Sequence, residues 1–251
     1  MTKKSVLPDS WDCPQVFRDR LGSEAGHQRI MVDEDHLLII LHAPPEVGQS
    51  TREGRFFWRK PSGEWESSIK GHKLALKFHL DEFQKIVLDL EDMESSATTS
   101  SDYFPVLEKL APVLRTISHL HQVLQDARKA VVHDKDLINL RDEAYQLVRM
   151  AELCQASAKN GLEFSLAKKA EEQANAAHQM SVASHRLNLL AGFFFPIVTI
   201  ASIFGMGLIE IPEENRAIVF IALMVIGFIG GVILTGFMAA KSKRGEPKKR
   251  K

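Results

Sequence analysis

Three carboxylates, Glu210, Glu213 and Glu214, fall within five residues of one another between two long uncharged runs. Carboxylates gathered at one mouth raise the local concentration of cations. Just before them stands Gly205-Met206-Gly207, whose second glycine offers backbone carbonyls and no side-chain group. Further upstream Asn188, Phe195 and Ser202 recur every seven residues, with Gly192, Thr199 and Met206 beside them. An amide or hydroxyl within an apolar helix tends to face a protein interior or a water-filled path. The alternative for Asn188, Thr199 and Ser202 is a bond between helices or back to their own backbone. A ring of Phe195 side chains would make an apolar constriction that gates by dewetting; the alternative is a packed or lipid-facing ring.

The elements that carry these residues are read from charge and hydropathy. Leu187 to Ile209 is 23 residues without a charge, and Ala217 to Ala240 is 24. At about 1.5 Å per residue, a helix over either run exceeds a hydrocarbon core of roughly 30 Å. Two membrane-spanning helices are therefore expected over 187–240, joined by an outer loop at 210–216. The tail at 241–251 holds seven Lys and Arg, whereas the loop holds only Arg216. The positive-inside rule then places both termini in the cytoplasm. Anchoring to anionic lipid accounts for the basic tail better than nucleic-acid binding does. Gly227 and Gly231 form a GxxxG pair in the second span, read as a close-packing face.

The whole-chain balance of 32 basic and 32 acidic residues looks like that of a soluble protein. It averages a polar N-terminal part with an apolar C-terminal one. Residues 1–100 read as a small cytoplasmic α/β region. His36–His42 has the length of a strand, and 54–60 and 64–70 flank the turn signal Pro61-Ser62-Gly63, which suggests a hairpin. A helix is expected over 73–93, from Leu76, Leu80, Phe83, Val87 and Leu90 at spacings of three and four. The polar run 95–101 reads as a linker or loop, with Asp102 placed to cap the next helix.

Residues 101–186 read as a cytoplasmic helical hairpin and stalk. Val106, Leu110, Val113, Ile117, Leu120, Leu124, Ala127 and Val131 step by four and three, though Pro105 and Pro112 weaken the start. After a break near His133-Asp134-Lys135, a second stripe runs from Leu137 through Ala144, Ala151 and Ala158 to Gly161 and Ser165. Two such stripes joined by a short break indicate antiparallel helices. Because only Pro196 interrupts 136–204, one helix of roughly 70 residues, on the order of 100 Å, is expected to run from the hairpin into the first span. The alternative is a break near Asn160-Gly161.

Phe195-Pro196 and the nine-residue step from Pro196 to Gly205-Met206, followed by a short acidic loop, a second span and a basic tail, resemble the CorA family of divalent-cation channels. That match covers about 181–244; the N-terminal part matches in layout alone. The family motif ends Gly-Met-Asn, where this chain has Gly207. The resemblance implies a mainly α membrane protein whose long stalk helix continues into the first of two C-terminal transmembrane helices. It implies a homo-oligomer, by family a pentamer, with the first span lining the pore at Gly205, Met206, Gly207, Asn188, Phe195 and Ser202. Ala191 and Val198 flank the family register in place of Gly192 and Thr199. Glu210, Glu213 and Glu214 would attract the ion, and the stalk would gate the path. Magnesium is the default cargo; zinc, cobalt and nickel stay open because the asparagine is missing. The cargo is substrate, and no cofactor is expected.

Catalytic signatures are absent from the sequence: no P-loop, nucleophile elbow or HExxH occurs. Cys13 and Cys154 suggest neither a disulfide framework nor a metal site. His178 and His185 lie on one face seven residues apart but have no carboxylate or Cys at ligand spacing, so a solvated face is expected. The partners expected are the bilayer, divalent cations and further copies of the chain, without nucleic acid. The N-terminus has no apolar signal core, and a bacterial inner (plasma) membrane is the expected location. The rival reading is a non-conducting membrane-anchored coiled-coil scaffold or sensor that has lost its ion filter, favoured by Gly207.

Overall fold

The computed structural model describes residues 6–45, 52–72, 74–206 and 212–244, without the side chains of 204, 213, 216 and 238–244. The chain divides into two compact units, Met1–Lys168 and Lys169–Lys251. It is mostly helical, with one small antiparallel sheet.

In the first unit the sheet has order β1-β2-β3-β4, with strands Arg29–Asp33, His36–His42, Gly54–Arg59 and Trp65–Ser67. All pairings are antiparallel and join sequence neighbours. β2 matches the expected strand, and β3 and β4 match the expected hairpin. At its turn the Lys60 N–H donates to the Glu64 carbonyl at 2.8 Å. Gly63 there adopts φ +90°, a conformation that a side chain would disfavour. The continuous apolar run of β2 is explained by burial on both faces. Leu37, Ile39 and Leu41 join Phe57 against the helices, while Leu38 and Ile40 join Phe56, Trp58 and Met31 on the other side. That second face is covered by Leu7, Trp11, Phe17 and Leu21, from a segment that includes the short helix α1, Gln15–Asp19.

Helices α2 (Ala75–Ser96) and α3 (Ser100–Ala130) and the first part of α4 (Lys135–Gly205) cover the opposite face. Both expected stripes are core: Val106 to Ala127 on α3 and Leu137, Ala144, Leu147, Ala151, Cys154 and Ala158 on α4 are buried. The antiparallel arrangement follows from three pairs in which one number falls as the other rises. Tyr103 lies against Gly161, His121 against Tyr145 at 5.7 Å between rings, and Gln125 against Arg141 at 3.4 Å. A Cβ on Gly161 would sit 2.4 Å from the Tyr103 ring, so glycine there admits the ring.

One expectation about this region changes. The polar run 95–101 is linker or loop only at 97–99: α2 extends to Ser96 and α3 starts at Ser100, so the ends of the run are helical. Ser95 and Ser96 donate back to the Asp92 and Met93 carbonyls. Asp102 does cap α3, but from inside its first turn, accepting from the Thr99 and Thr98 N–H groups at 2.8 and 3.1 Å. That contact holds its carboxyl below the usual carboxylate range. The expected single long helix is present: α4 runs for 71 residues with no break at Asn160-Gly161.

The turn between α3 and α4 is tied to the sheet. Asp134 Oδ1 accepts from the Asp136 and Leu137 N–H groups, capping α4, while its Oδ2 accepts from Arg59 Nε of β3 at 2.8 Å. Both side chains are largely buried. Asp134→Ala removes the cap and leaves Arg59 without its ion pair. The expected loss is about 2–3 kcal/mol, read as a lower thermal midpoint of the detergent-solubilised chain, with Asp134→Asn retaining part of it.

On α2, His79 is completely buried between Phe57 and Phe83, with ring separations of 5.7 and 5.2 Å. Its Nδ1 accepts from Arg55 Nη1 at 2.9 Å, and the same guanidinium pairs with Glu82. Burial, then the neighbouring Arg55 charge, pushes the His79 pKa down to about 3. With Nδ1 accepting, the neutral ring carries its proton on Nε2, which has no partner among the described residues.

Candidate functional site: the apolar helix pair

The second unit pairs the C-terminal part of α4 with α5, Glu213–Arg244. Both contain stretches long and apolar enough to cross a membrane, and almost none of either stretch is buried by the chain itself. A soluble core helix would be covered; these surfaces need lipid or further protein around them.

The contact between the helices is glycine-mediated. A Cβ on Gly231 would lie 2.6 Å from the Phe193 carbonyl oxygen, and one on Gly227 3.0 Å from Ile200 and 3.4 Å from the Ile197 backbone. Phe193 meets Phe228 edge to face at 5.3 Å. The GxxxG pair therefore packs α5 against α4, as expected from small residues at apolar helix contacts. Gly230 and Gly236 face open space.

This contact orients the remaining faces of α4. At about 100° per residue, Phe193, Ile197 and Ile200 occupy one side, and Asn188, Phe195 and Ser202 lie roughly 180° away. All three are exposed, as is Met206 at 72%. Ala191, Val198 and Thr199 are exposed as well, so the contact with α5 leaves both edges of that face open. The hydroxyls are already engaged: Thr199 Oγ1 donates to the Phe195 carbonyl and Ser202 Oγ to the Val198 carbonyl, each at 2.8 Å. The amide of Asn188 has no such bond among the described residues.

Pro196 lies within α4, which continues to Gly205 as its final residue; the Met206 N–H donates to the Ser202 carbonyl at 3.0 Å. Gly207 and Glu210 lie outside the described residues. The expected loop at 210–216 is shorter at its far end, since α5 begins at Glu213. Glu213 and Glu214 thus stand in a first helical turn, where the positive end of the helix dipole favours carboxylates and Pro212 precedes the helix as a natural starter. The helix also extends past the expected span to Arg244, taking in the start of the basic tail; 245–251 lie outside the described residues.

Elsewhere the chemistry is sparse. Among the described residues no group of three or more His, Cys, Asp or Glu is placed to hold a metal. Cys13 and Cys154 are free thiols, and burial with Glu94 and Glu91 nearby pushes Cys154 up to about 11, away from reactivity.

Among solved structures the chain is similar to full-length CmaX, at 14% identity over 94% of this chain and 83% of that one, with a TM-score of 0.55. The chain shares its fold with CmaX. That likeness takes in the sheet, the helical layer and the apolar pair together, because it spans nearly the whole sequence. The cytoplasmic domain of ZntB from Vibrio parahaemolyticus RIMD 2210633 matches at 10% identity and a TM-score of 0.47, over 64% of this chain and 80% of that one. The soluble domain of CorA from Methanocaldococcus jannaschii matches at 19% and 0.39, over 57% and 75%. No protein-family model and no curated protein sequence matches the chain.

Proposed function

We propose that the chain is a CorA-like channel or transporter for divalent metal cations, working as a homo-oligomer in a membrane. The observation that carries this reading is the α4 segment from Pro196 to Gly205. It has the family's nine-residue step, ends its helix at Gly205, and turns a full face away from its α5 partner. The CmaX-like fold supports the same architecture for the whole chain.

In this reading, copies of α4 surround an axis, five by family resemblance, and the Asn188–Phe195–Ser202 face lines the path. Backbone at Gly205, Met206 and Gly207 forms the outer constriction, and Glu210, Glu213 and Glu214 concentrate cations at its mouth. Both termini are cytoplasmic, in an inner (plasma) membrane. Magnesium is the proposed cargo by family resemblance; zinc, cobalt and nickel are the alternatives, because Gly207 stands where the family motif has asparagine.

Proteoliposomes loaded with a magnesium-sensitive dye test this. Wild-type chain is expected to give cation influx, and Glu213→Gln with Glu214→Gln together to slow it several-fold at low ionic strength, with a smaller effect at high salt. Absence of flux for magnesium, zinc, cobalt and nickel, with flux appearing on Gly207→Asn, would overturn the proposal.

A further inference from the structure

The first unit contains a cavity of about 440 Å³ between β4, the start of α2 and the first two turns of α4. Its size lies in the range of small-molecule sites. Its floor is apolar, made by Phe57, Trp65, Leu76 and Leu140, with Phe57 and Leu76 buried.

The polar groups on its wall fall into two sets. Lys77 is engaged by Glu143 at 2.7 Å and Asp81 at 3.0 Å. Glu66 is engaged by Lys60 at 2.6 Å, and His72 is stacked on Phe78 at 3.7 Å. Three side chains remain that have no partner among the described residues: Lys70, Asp136 and Asn139. One is a cation, one an anion and one an amide that both donates and accepts. Asp136 and Asn139 are three apart on α4, hence on one face of its first turn, and Lys70 comes from the loop after β4.

An apolar anion would satisfy Lys70 and be repelled by Asp136; an apolar cation would meet the reverse. We infer that this cavity binds a small amphipathic zwitterion, an apolar body carrying one carboxylate and one ammonium, as in an apolar α-amino acid. The body occupies the Phe57–Trp65–Leu76–Leu140 floor, the carboxylate pairs with Lys70, and the ammonium pairs with Asp136, with Asn139 bonding either end. A bound ligand would join the sheet edge, α2 and the foot of α4. This site stands independently of ion conduction.

The test is isothermal titration of the full chain in lipid nanodiscs with L-phenylalanine. 3-Phenylpropionate, which lacks the ammonium, and 2-phenylethylamine, which lacks the carboxylate, serve as matched probes. Saturable binding of one L-phenylalanine per chain is expected, with each matched probe weaker by about tenfold or more, the worth of one charge-assisted hydrogen bond. Lys70→Met and Asp136→Asn, both exposed and outside the core, should each cause a similar loss; the melting temperature should be unmoved in Lys70→Met and only slightly lower in Asp136→Asn, which gives up a carboxylate in the first turn of α4. Leu140→Trp, which fills the floor, should abolish binding. No saturable heat from L-phenylalanine, equal binding of either matched probe, or binding unchanged in both Lys70→Met and Asp136→Asn would overturn the inference. Because the readout is binding, failure here leaves the flux experiment unaffected, and the reverse holds too.

Discussion

Gly231→Leu is expected to break the α4–α5 pair. The obstruction is a backbone carbonyl, that of Phe193, lying 2.6 Å from where the new Cβ would go, so no rotamer change relieves it. The helices must separate, and the Phe193–Phe228 contact goes with them. Overpacking of this kind costs about 3 kcal/mol, the upper end of its usual range, because helix backbones rather than side-chain tips have to move. The measurement is thermal unfolding of the solubilised chain beside cation flux, and both should fall sharply. Gly236→Leu is the matched control: the same residue type is changed on the same helix with nothing within 4 Å. If the two variants melt alike, the GxxxG pair does not hold the helices together.

The second large effect is acid sensitivity centred on His79. An unfolded chain takes up a proton on this ring near pH 6.5, whereas the folded chain resists until about pH 3. Between those values the unfolded state binds more protons, so lowering the pH favours unfolding. The contribution of the neutral ring is complete above about pH 6.5 and is progressively lost as the pH falls toward 3. Its full size is about 3–5 kcal/mol, large against the stability of an ordinary domain. Arg55, which donates to the neutral ring, repels the protonated one, while Glu82, bonded to the same guanidinium, keeps that arginine in place. Melting temperatures taken at steps from pH 7.5 to 4 should fall steeply for the wild type and much less for His79→Leu. The variant gives up the Arg55 hydrogen bond but has no buried base to charge. Parallel pH profiles for the two proteins would count against this account.

How much of this was readable from sequence depended on which residues kept to a simple rule. The stripes on α3 and α4 obeyed helical spacing and are core. The turn at Pro61-Ser62-Gly63 used residues that announce a turn, and a hairpin is there. β1 was not legible, because its turn into β2 is made by Glu34 and Asp35, both at positive φ. Such turns normally use Asn or Gly, and an acidic pair gives no signal. α1 was missed for a different reason: five residues are too few to show a period. A clue to the layer it belongs to was present in the unbroken apolar run of β2, which only makes sense for a strand covered on both sides. In the membrane part, spacing alone gave the face carrying Asn188, Phe195 and Ser202. The packing side came from Gly227 and Gly231. What spacing could not give was the state of the hydroxyls, since a bond from Ser202 to its own helix depends on a rotamer. The start of α5 was set too late because three carboxylates read as loop, although a helix N-terminus is equally a place for them.

The pairing pattern of the first unit also bears on how the protein is made. Each strand pairs with its neighbour in sequence, and α3 turns back on α4 after only four residues. Local contacts of this kind close quickly, and the N-terminal parts of a chain generally fold first during synthesis. The core of this unit is complete by Ala158, whereas the charge-free run of the first span begins only at Leu187. Within this sequence the core of the first unit is therefore synthesised before either apolar run. A variant that slows folding of the sheet is therefore expected to be felt as a delay in membrane delivery.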